Sequence, residues 1–377
     1  MNKELTDFEA IVMGANYAGL AAAGELRGKR VLLLDRETIG GHQASTCALW
    51  TRIVQLLGAE AAILHTLDSW QIHIGDREFT FPTPMDLISV LDHPTFCAHL
   101  FLRCEAEFRR ETVQSIHGNQ VITNQGRYRA PILIETLGWR GLRWRDQNLT
   151  QSYNQALETE IGRNSKQLFG KENALHVYFA PWRWGRGGGW AFPSGERTRI
   201  GFGRFESAGK LTGPLSQLLG DYALTPSQPL YGNYIPWKLH KSTADGRFIA
   251  GDAAGQCLGL LSEGIRTAIF FGIAAARCAR QALDGKLTTE TALGLYADFV
   301  NAHRHYFNLF SFLQIILPRL PAWALQGIAG KLETNGLGTR LLHWYAQIFD
   351  VPALMHSAVI DHRQFLQISR QKRITWL

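Results

Sequence analysis

Three groups of residues carry the types and spacings that chemistry needs. The first is Gly14-Ala15-Asn16-Tyr17-Ala18-Gly19, which follows a short apolar run and opens an alanine-rich one, with Asp35 and Arg36 about 20 residues further on. In such a turn Gly14 permits the tight bend and Gly19 lets helix and strand approach. The helix start around Ala18 offers unpaired amides and a partial positive charge to a pyrophosphate. Asp35 would accept from the ribose hydroxyls of an adenine nucleotide. Asn16 stands where a second glycine is usual, and its Cβ would crowd that pyrophosphate; the competing reading is an ordinary strand-to-helix turn. The second group is Gly251-Asp252-Ala253-Ala254, after the run Arg247 to Ala250, followed by Glu263-Gly264-Ile265-Arg266. A strand ending in Gly-Asp puts a carboxylate at a sheet edge, where it can take a ribose or ribityl hydroxyl, or simply cap a helix. The third is Cys47, a thiol that could hand a proton to a carbon centre or merely fill space.

Other chemistries are disfavoured. His65, His73, His93, His99 and His117 form no spaced ligand set, H-E-x-x-H is absent, and no metal is expected. There is no G-x-S-x-G elbow. The five cysteines are odd in number and include no C-x-x-C pair, which points to a reducing compartment. The N-terminal stretch lacks the features of a secretory signal and reads as the first folded element. Lys plus Arg number 39 against 32 acids, a formal net charge of +7 that favours anionic partners. The basic residues are scattered rather than striped, so nucleic acid is not among the partners expected.

These groups need a framework of an α/β kind. Phe8 to Met13, Ala18 to Leu26 and Arg30 to Leu34 read as strand, helix, strand, the βαβ unit of a parallel sheet. Helices are expected around Thr51 to Leu67 and over Leu91 to Arg110, and a strand or hairpin over Trp70 to Phe81. Short strands follow at Val113–Ile116, Gln120–Thr123 and Pro131–Ile134, and a β-rich stretch runs from Ala156 to Phe205. After Ile265 the chain reads as mostly helical. The apolar stretch His305 to Ala329, broken by Pro318 and Pro321, is too short and interrupted to span a bilayer. It reads as a helical cap on its own domain or as an interfacial element on anionic lipid. With 377 residues, 46% of them hydrophobic, more than one core is expected.

The motifs resemble those of flavoproteins of the p-hydroxybenzoate hydroxylase fold, and within them the geranylgeranyl reductases. The segment Gly251 to Ile265 is similar to their second FAD motif. Glu135-Thr136-Leu137-Gly138-Trp139-Arg140 resembles their D-A-T-G-W-R stretch, and Asp92-His93-Pro94-Thr95-Phe96 their D-R-x-x-F helix start. Trp190-Ala191-Phe192-Pro193, then seven residues, then Gly201-Phe202-Gly203 is similar to the wall of their substrate cavity, with Gly188 at the family's tyrosine position. Cys47 falls near a cysteine that such reductases place close to the flavin.

The resemblance implies a Rossmann-like FAD-binding domain built discontinuously from residues 1–60, 91–150 and 238–300. An antiparallel substrate domain from 61–90 and 151–237 and a helical region over 301–377 complete the chain. FAD would be held by Gly14, Asn16, Ala18, Gly19, Asp35, Arg36, Gly251, Asp252, Ala253, Ala254, Gly264 and Ile265. The substrate would meet Trp190, Phe192, Pro193, Gly201, Gly203 and Trp237, in a cleft to which Trp182, Trp184 and Phe202 also contribute, with Cys47 as the catalytic residue. The expected activity is reduction of C=C bonds in an isoprenoid or prenyl lipid, with electrons from reduced pyridine nucleotide or ferredoxin, in the cytoplasm or on the inner membrane surface. Oxygen-dependent hydroxylation, a non-redox cyclase-like use of flavin, and an idle flavin fold carrying lipid are the alternatives. Halogenation is disfavoured, since no lysine occurs between Lys29 and Lys166.

Overall fold

A computed structural model describes residues 5–41, 47–83, 87–145, 153–205, 209–226 and 229–357. Ala10–Met13 and Val31–Asp35 are parallel neighbours, joined by the helix Tyr17–Glu25. Ile132–Glu135 lies on the other side of Ala10–Met13 and pairs in turn with Arg247–Ile249, again in parallel. Ala106–Arg110 and the short Thr243–Ala244 complete a six-stranded sheet. Strands covered on both faces read as near-continuous apolar runs, and Ala10–Met13 and Ile132–Glu135 are buried at every residue, with Glu135 the one charge, at a strand end. The long helix Ile265–Leu283 crosses Tyr17–Glu25 closely because Gly272 has no side chain: a Cβ there would lie 2.4 Å from the Ala18 carbonyl oxygen.

The second sheet has seven strands, in the order Tyr231–Pro236, Tyr153–Ile161, Arg197–Arg204, Gly187–Ser194, Ala174–Tyr178, Ser69–Ile74, Arg77–Pro82. It is not wholly antiparallel as expected. Ala174–Tyr178 and Ser69–Ile74 run parallel, since they come from distant parts of the chain and no hairpin constrains them. One face, with Ala191, Ile200 and Phe202, packs on Leu215 and Leu218 of the helix Thr212–Asp221. The opposite face turns to the first sheet, and Phe192 and Val177 pack against that sheet's core. A three-stranded sheet, Ala48–Trp50, Ile88–Leu91 and Ile63–Leu67, lies between them.

Two expected helices are shorter than their apolar runs. Thr51–Leu67 is helical only over Thr51–Leu56, then passes through a 3-10 turn into the strand Ile63–Leu67. Leu91–Arg110 is the helix His93–Leu102 followed by the edge strand Ala106–Arg110. Short apolar runs fit either period, and the open sheet edges took the second half of each. The C-terminal part forms the helices Thr289–Ala302, Arg304–Ile316, Ala322–Thr334, Leu337–Gln347 and Val351–His356. Among the described residues no helix is long and apolar enough to cross a membrane.

Candidate functional site

The two glycine motifs emerge from the same edge of the six-stranded sheet, on strands that flank Ile132–Glu135. They touch. A Cβ on Gly251 would lie 3.1 Å from the Cβ of Ala18 and 3.7 Å from that of Ala268. Gly14 has φ +108°, and a Cβ there would meet the Thr136 carbonyl oxygen at 2.3 Å; on Gly19 it would meet the Gly14 carbonyl oxygen at 1.7 Å. Only glycine fits either place. Thr136 locks the turn from behind, its hydroxyl donating to the carbonyls of Met13 and Gly14, each at 2.8 Å. Glu135, buried at the strand end, pairs with Arg145 and Arg247, and Arg145 also donates to the Ala253 carbonyl. This clamp gives Glu135 a structural task where the family pattern has an aspartate.

The donors and acceptors fit an adenine-linked flavin. Asp35 accepts from the Ala15 amide at 2.7 Å and the Glu37 amide at 2.9 Å, which fixes its carboxylate at the turn. Arg36 is exposed and pairs with Glu37. Asp252 sits within the 3-10 turn Gly251–Ala254 and caps nothing. Among the described residues no hydrogen bond or ion pair reaches its carboxylate, and burial raises its pKa to about 6. Its Oδ1 faces Gly264, the residue that begins the long helix at Ile265, where a Cβ would stand 3.5 Å away. A half-buried carboxylate left unpaired between two glycines is the acceptor that a ribityl or ribose hydroxyl would satisfy. Ala253 and Ala254 are buried beneath it.

Cys47 lies in a buried cluster that sequence reasoning did not assemble. The Tyr17 hydroxyl is 3.4 Å from Cys47 Sγ and 2.6 Å from His93 Nδ1, and Cys97 Sγ is 3.6 Å from the same nitrogen. Burial pushes the Cys47 thiol up to about 12 and raises Tyr17 well above the usual phenol range. Both groups therefore hold their protons at neutral pH. Arg199 acts on both from the facing sheet, pulling them slightly down. Residues 42–46, which precede Cys47, lie outside the described segments.

The facing wall explains its own motif. Trp190 is paired across the strands with Gly201, and its indole lies over Gly201 and Gly203, where Cβ atoms would come within 2.4 and 3.1 Å of the ring. The G-x-G is thus the bed of the tryptophan. On the same face Glu158 takes the indole N–H at 3.4 Å and holds Arg199 at 2.9 Å, beside Phe192, the cross-strand partner of Arg199. Pro193 alternates to the other face, opposite Thr198. Trp184 and Phe202 also lie there, in the core under the helix Thr212–Asp221, and Trp182 is exposed. The expected aromatic cleft therefore reduces to Trp190 and Phe192 on this sheet. Trp237 stands apart, beside Gly259, with an indole N–H buried and without a partner among the described residues. Gly188 does not simply vacate space: a Cβ there would come within 2.9 Å of the Tyr178 carbonyl oxygen.

A second buried network ties the C-terminal helices to the site. Arg266 pairs with Glu263 at 2.7 Å and donates to the Tyr345 carbonyl, with its guanidinium over the rings of Trp50 and Tyr345. Glu263 also accepts from Trp50 and from the Tyr345 hydroxyl. The adjacency of Glu263 and Arg266, one helical turn apart, was the only sequence signal of it.

No family model matches the sequence, and no curated protein is detectably similar to it. Solved structures match over nearly its whole length. A geranylgeranyl bacteriochlorophyll reductase-like protein from Thermoplasma acidophilum superposes with a TM-score of 0.74 at 16% identity, covering 98% of this chain and 100% of that one. A flavin-dependent brominase gives 0.72 at 14% identity, over 98% and 100%. PqsL, a probable FAD-dependent monooxygenase from Pseudomonas aeruginosa, gives 0.65 at 14% identity, over 83% and 97%. With its parallel sheet, facing mixed sheet and two converging glycine motifs, the chain has the fold of FAD-dependent oxidoreductases of the p-hydroxybenzoate hydroxylase type.

Proposed function

We propose that the chain is an FAD-dependent oxidoreductase that reduces C=C bonds in an isoprenoid or prenyl lipid. The carrying observation is Asp252, a half-buried carboxylate without a hydrogen-bond or ion-pair partner among the described residues, set where the two glycine motifs meet. Gly14, Ala18 and Gly19 would carry the pyrophosphate, Asp35 the adenosine ribose, and Asp252 with Gly264 and Ile265 the ribityl side. When bound, FAD supplies a hydride carrier, recharged by an external donor such as reduced pyridine nucleotide or ferredoxin.

The protein's own part is to position and to manage a proton. Trp190 and Phe192 offer an apolar wall to an extended hydrocarbon. Cys47, protonated at neutral pH, is a poor nucleophile and a weak acid, able to give its proton only to a strongly basic carbon centre, and Tyr17, between Cys47 and His93, fixes the thiol's position. A protonated thiol that feels Arg199 of the sheet bearing the apolar wall favours reduction. The fold likeness to PqsL supports oxygen-dependent hydroxylation as the second reading.

One experiment separates them. Protein whose flavin has been reduced under anaerobic conditions is mixed with a geranylgeranyl substrate. Reduction predicts reoxidation of the flavin and a product richer by one H2 per bond. Flavin that stays reduced without oxygen, but consumes oxygen once substrate is added, defeats reduction and establishes the hydroxylase. Purified protein that neither contains nor takes up flavin defeats both.

A further inference from the structure

The geometry points to Asn16 as an internal stand-in for the cofactor's pyrophosphate, a side chain that closes the anion site in the cofactor-free protein and sets how tightly the dinucleotide is held. This rests on the FAD reading above.

The first amides of a helix have no partner within it, and at a Rossmann turn these are the groups a phosphate uses. Here two of them are already engaged. Asn16 Oδ1 accepts from the amides of Ala18 at 3.0 Å and Gly19 at 3.4 Å, while its Nδ2 donates to the Thr136 carbonyl. The Ala15 amide is taken by Asp35. The carboxamide is therefore bonded at both ends, across the mouth of the turn. Its backbone is relaxed, with φ −91° and ψ −172°, so the residue is held by these bonds and not by strain.

Residue chemistry suits the role. Glycine would leave the amides open to an anion. Aspartate would cap them more strongly but place a negative charge where the diphosphate must come. Asparagine caps without charge, and its side chain can swing aside about one bond. Binding must break its hydrogen bonds before forming those to phosphate, so whatever the cap adds to the free protein is subtracted from the cofactor's affinity. Removing the carboxamide has two effects of opposite sign: a less stable free protein, and a tighter complex.

The test uses the full chain stripped of flavin, with FAD and riboflavin as probes, read by flavin fluorescence and by the melting midpoint of the free protein. Asn16→Gly is expected to bind FAD about twofold more tightly, since glycine is the mildest loss of an asparagine cap, while its free form melts slightly lower. Asn16→Asp, which keeps the cap and folds normally, is expected to bind FAD several-fold more weakly. Riboflavin, which lacks the pyrophosphate, should bind all three proteins alike. Should Asn16→Gly fold and bind FAD no better, or Asn16→Asp bind it as well as the parent, Asn16 is only a helix cap and the inference falls, with the FAD reading intact. FAD uptake by none of the three overturns the reading and the inference together.

Discussion

An unpaired carboxylate drawn partly out of water costs stability, and at Asp252 that cost has a sign that can be measured. Its folded pKa of about 6 lies above the ordinary carboxylate value, because burial penalises the charged form. The folded free protein therefore holds a proton that the unfolded chain has lost between about pH 4 and 6. Stability attributable to this group is present below the ordinary carboxylate range and is lost as pH rises through 6. Asp252→Asn keeps the shape and removes the charge. The free variant should be more stable than the parent by about 1–3 kcal/mol at neutral pH and equal to it near pH 4, while its affinity for FAD falls. Melting curves over that range, with a flavin titration, check both parts; a stability difference that does not change with pH would mean that the charge is not the cause. The residue was legible in the sequence because Gly-Asp after an apolar run has few other uses. The cluster around Cys47 was not, because Tyr17, Cys47, His93 and Cys97 come from three elements that only the fold brings together.

At the scale of elements, the strand pair Gly187–Ser194 and Arg197–Arg204 shows how packing imposes a motif. Gly201 and Gly203 are small because the Trp190 indole lies on them. Gly201→Ala would drive a methyl into the ring at 2.4 Å, and overpacking of this kind costs about 1–3 kcal/mol. Trp190→Ala removes the obstacle, so the double variant should recover most of what Gly201→Ala loses, a coupling that a double-mutant cycle reads directly. Independent, additive losses would show that the indole leaves the glycine bed in solution. The sequence displayed the spacing of this motif but not its faces. Alternation within each strand decides that Trp190 and Phe192 face the first sheet while Phe202 and Trp184 lie beneath the other side. The same limit explains the misread helices. Ile63–Leu67 and Ala106–Arg110 became strands because pairing partners, which no local pattern reveals, were waiting at sheet edges. The βαβ start was readable because its glycines, helix and strand are contiguous.

For the molecule as a whole, the C-terminal helices bear on how the apolar substrate proposed above would reach its site. The helices Arg304–Ile316, Ala322–Thr334 and Leu337–Gln347 expose Leu309, Phe312, Trp323, Ile328 and Leu341, with Trp323 76% and Phe312 58% accessible. Trp182 adjoins them across an open groove lined by Pro318, Arg319 and Pro321. From residue 304 to 348 the sequence carries Arg304, Arg319, Lys331 and Arg340 against the single acid Glu333, whose carboxylate is engaged by the Thr80 amide. Exposed aromatics within a cationic rim match the surface of an anionic bilayer, where the rings enter the interface and the bases meet lipid phosphate. We therefore expect the full chain to sediment with vesicles of phosphatidylcholine and phosphatidylglycerol, less with phosphatidylcholine alone, and less as salt is raised. Phe312→Glu with Trp323→Glu should abolish that binding and leave the melting midpoint unchanged, since both side chains lie in solvent. A chain that ignores every vesicle, or one whose self-association disappears with the same two substitutions, would instead assign this face to a second copy of the protein. The prediction belongs at this scale because no single residue carries it: the helices are apolar on both sides, and only their packing decides which side stays uncovered.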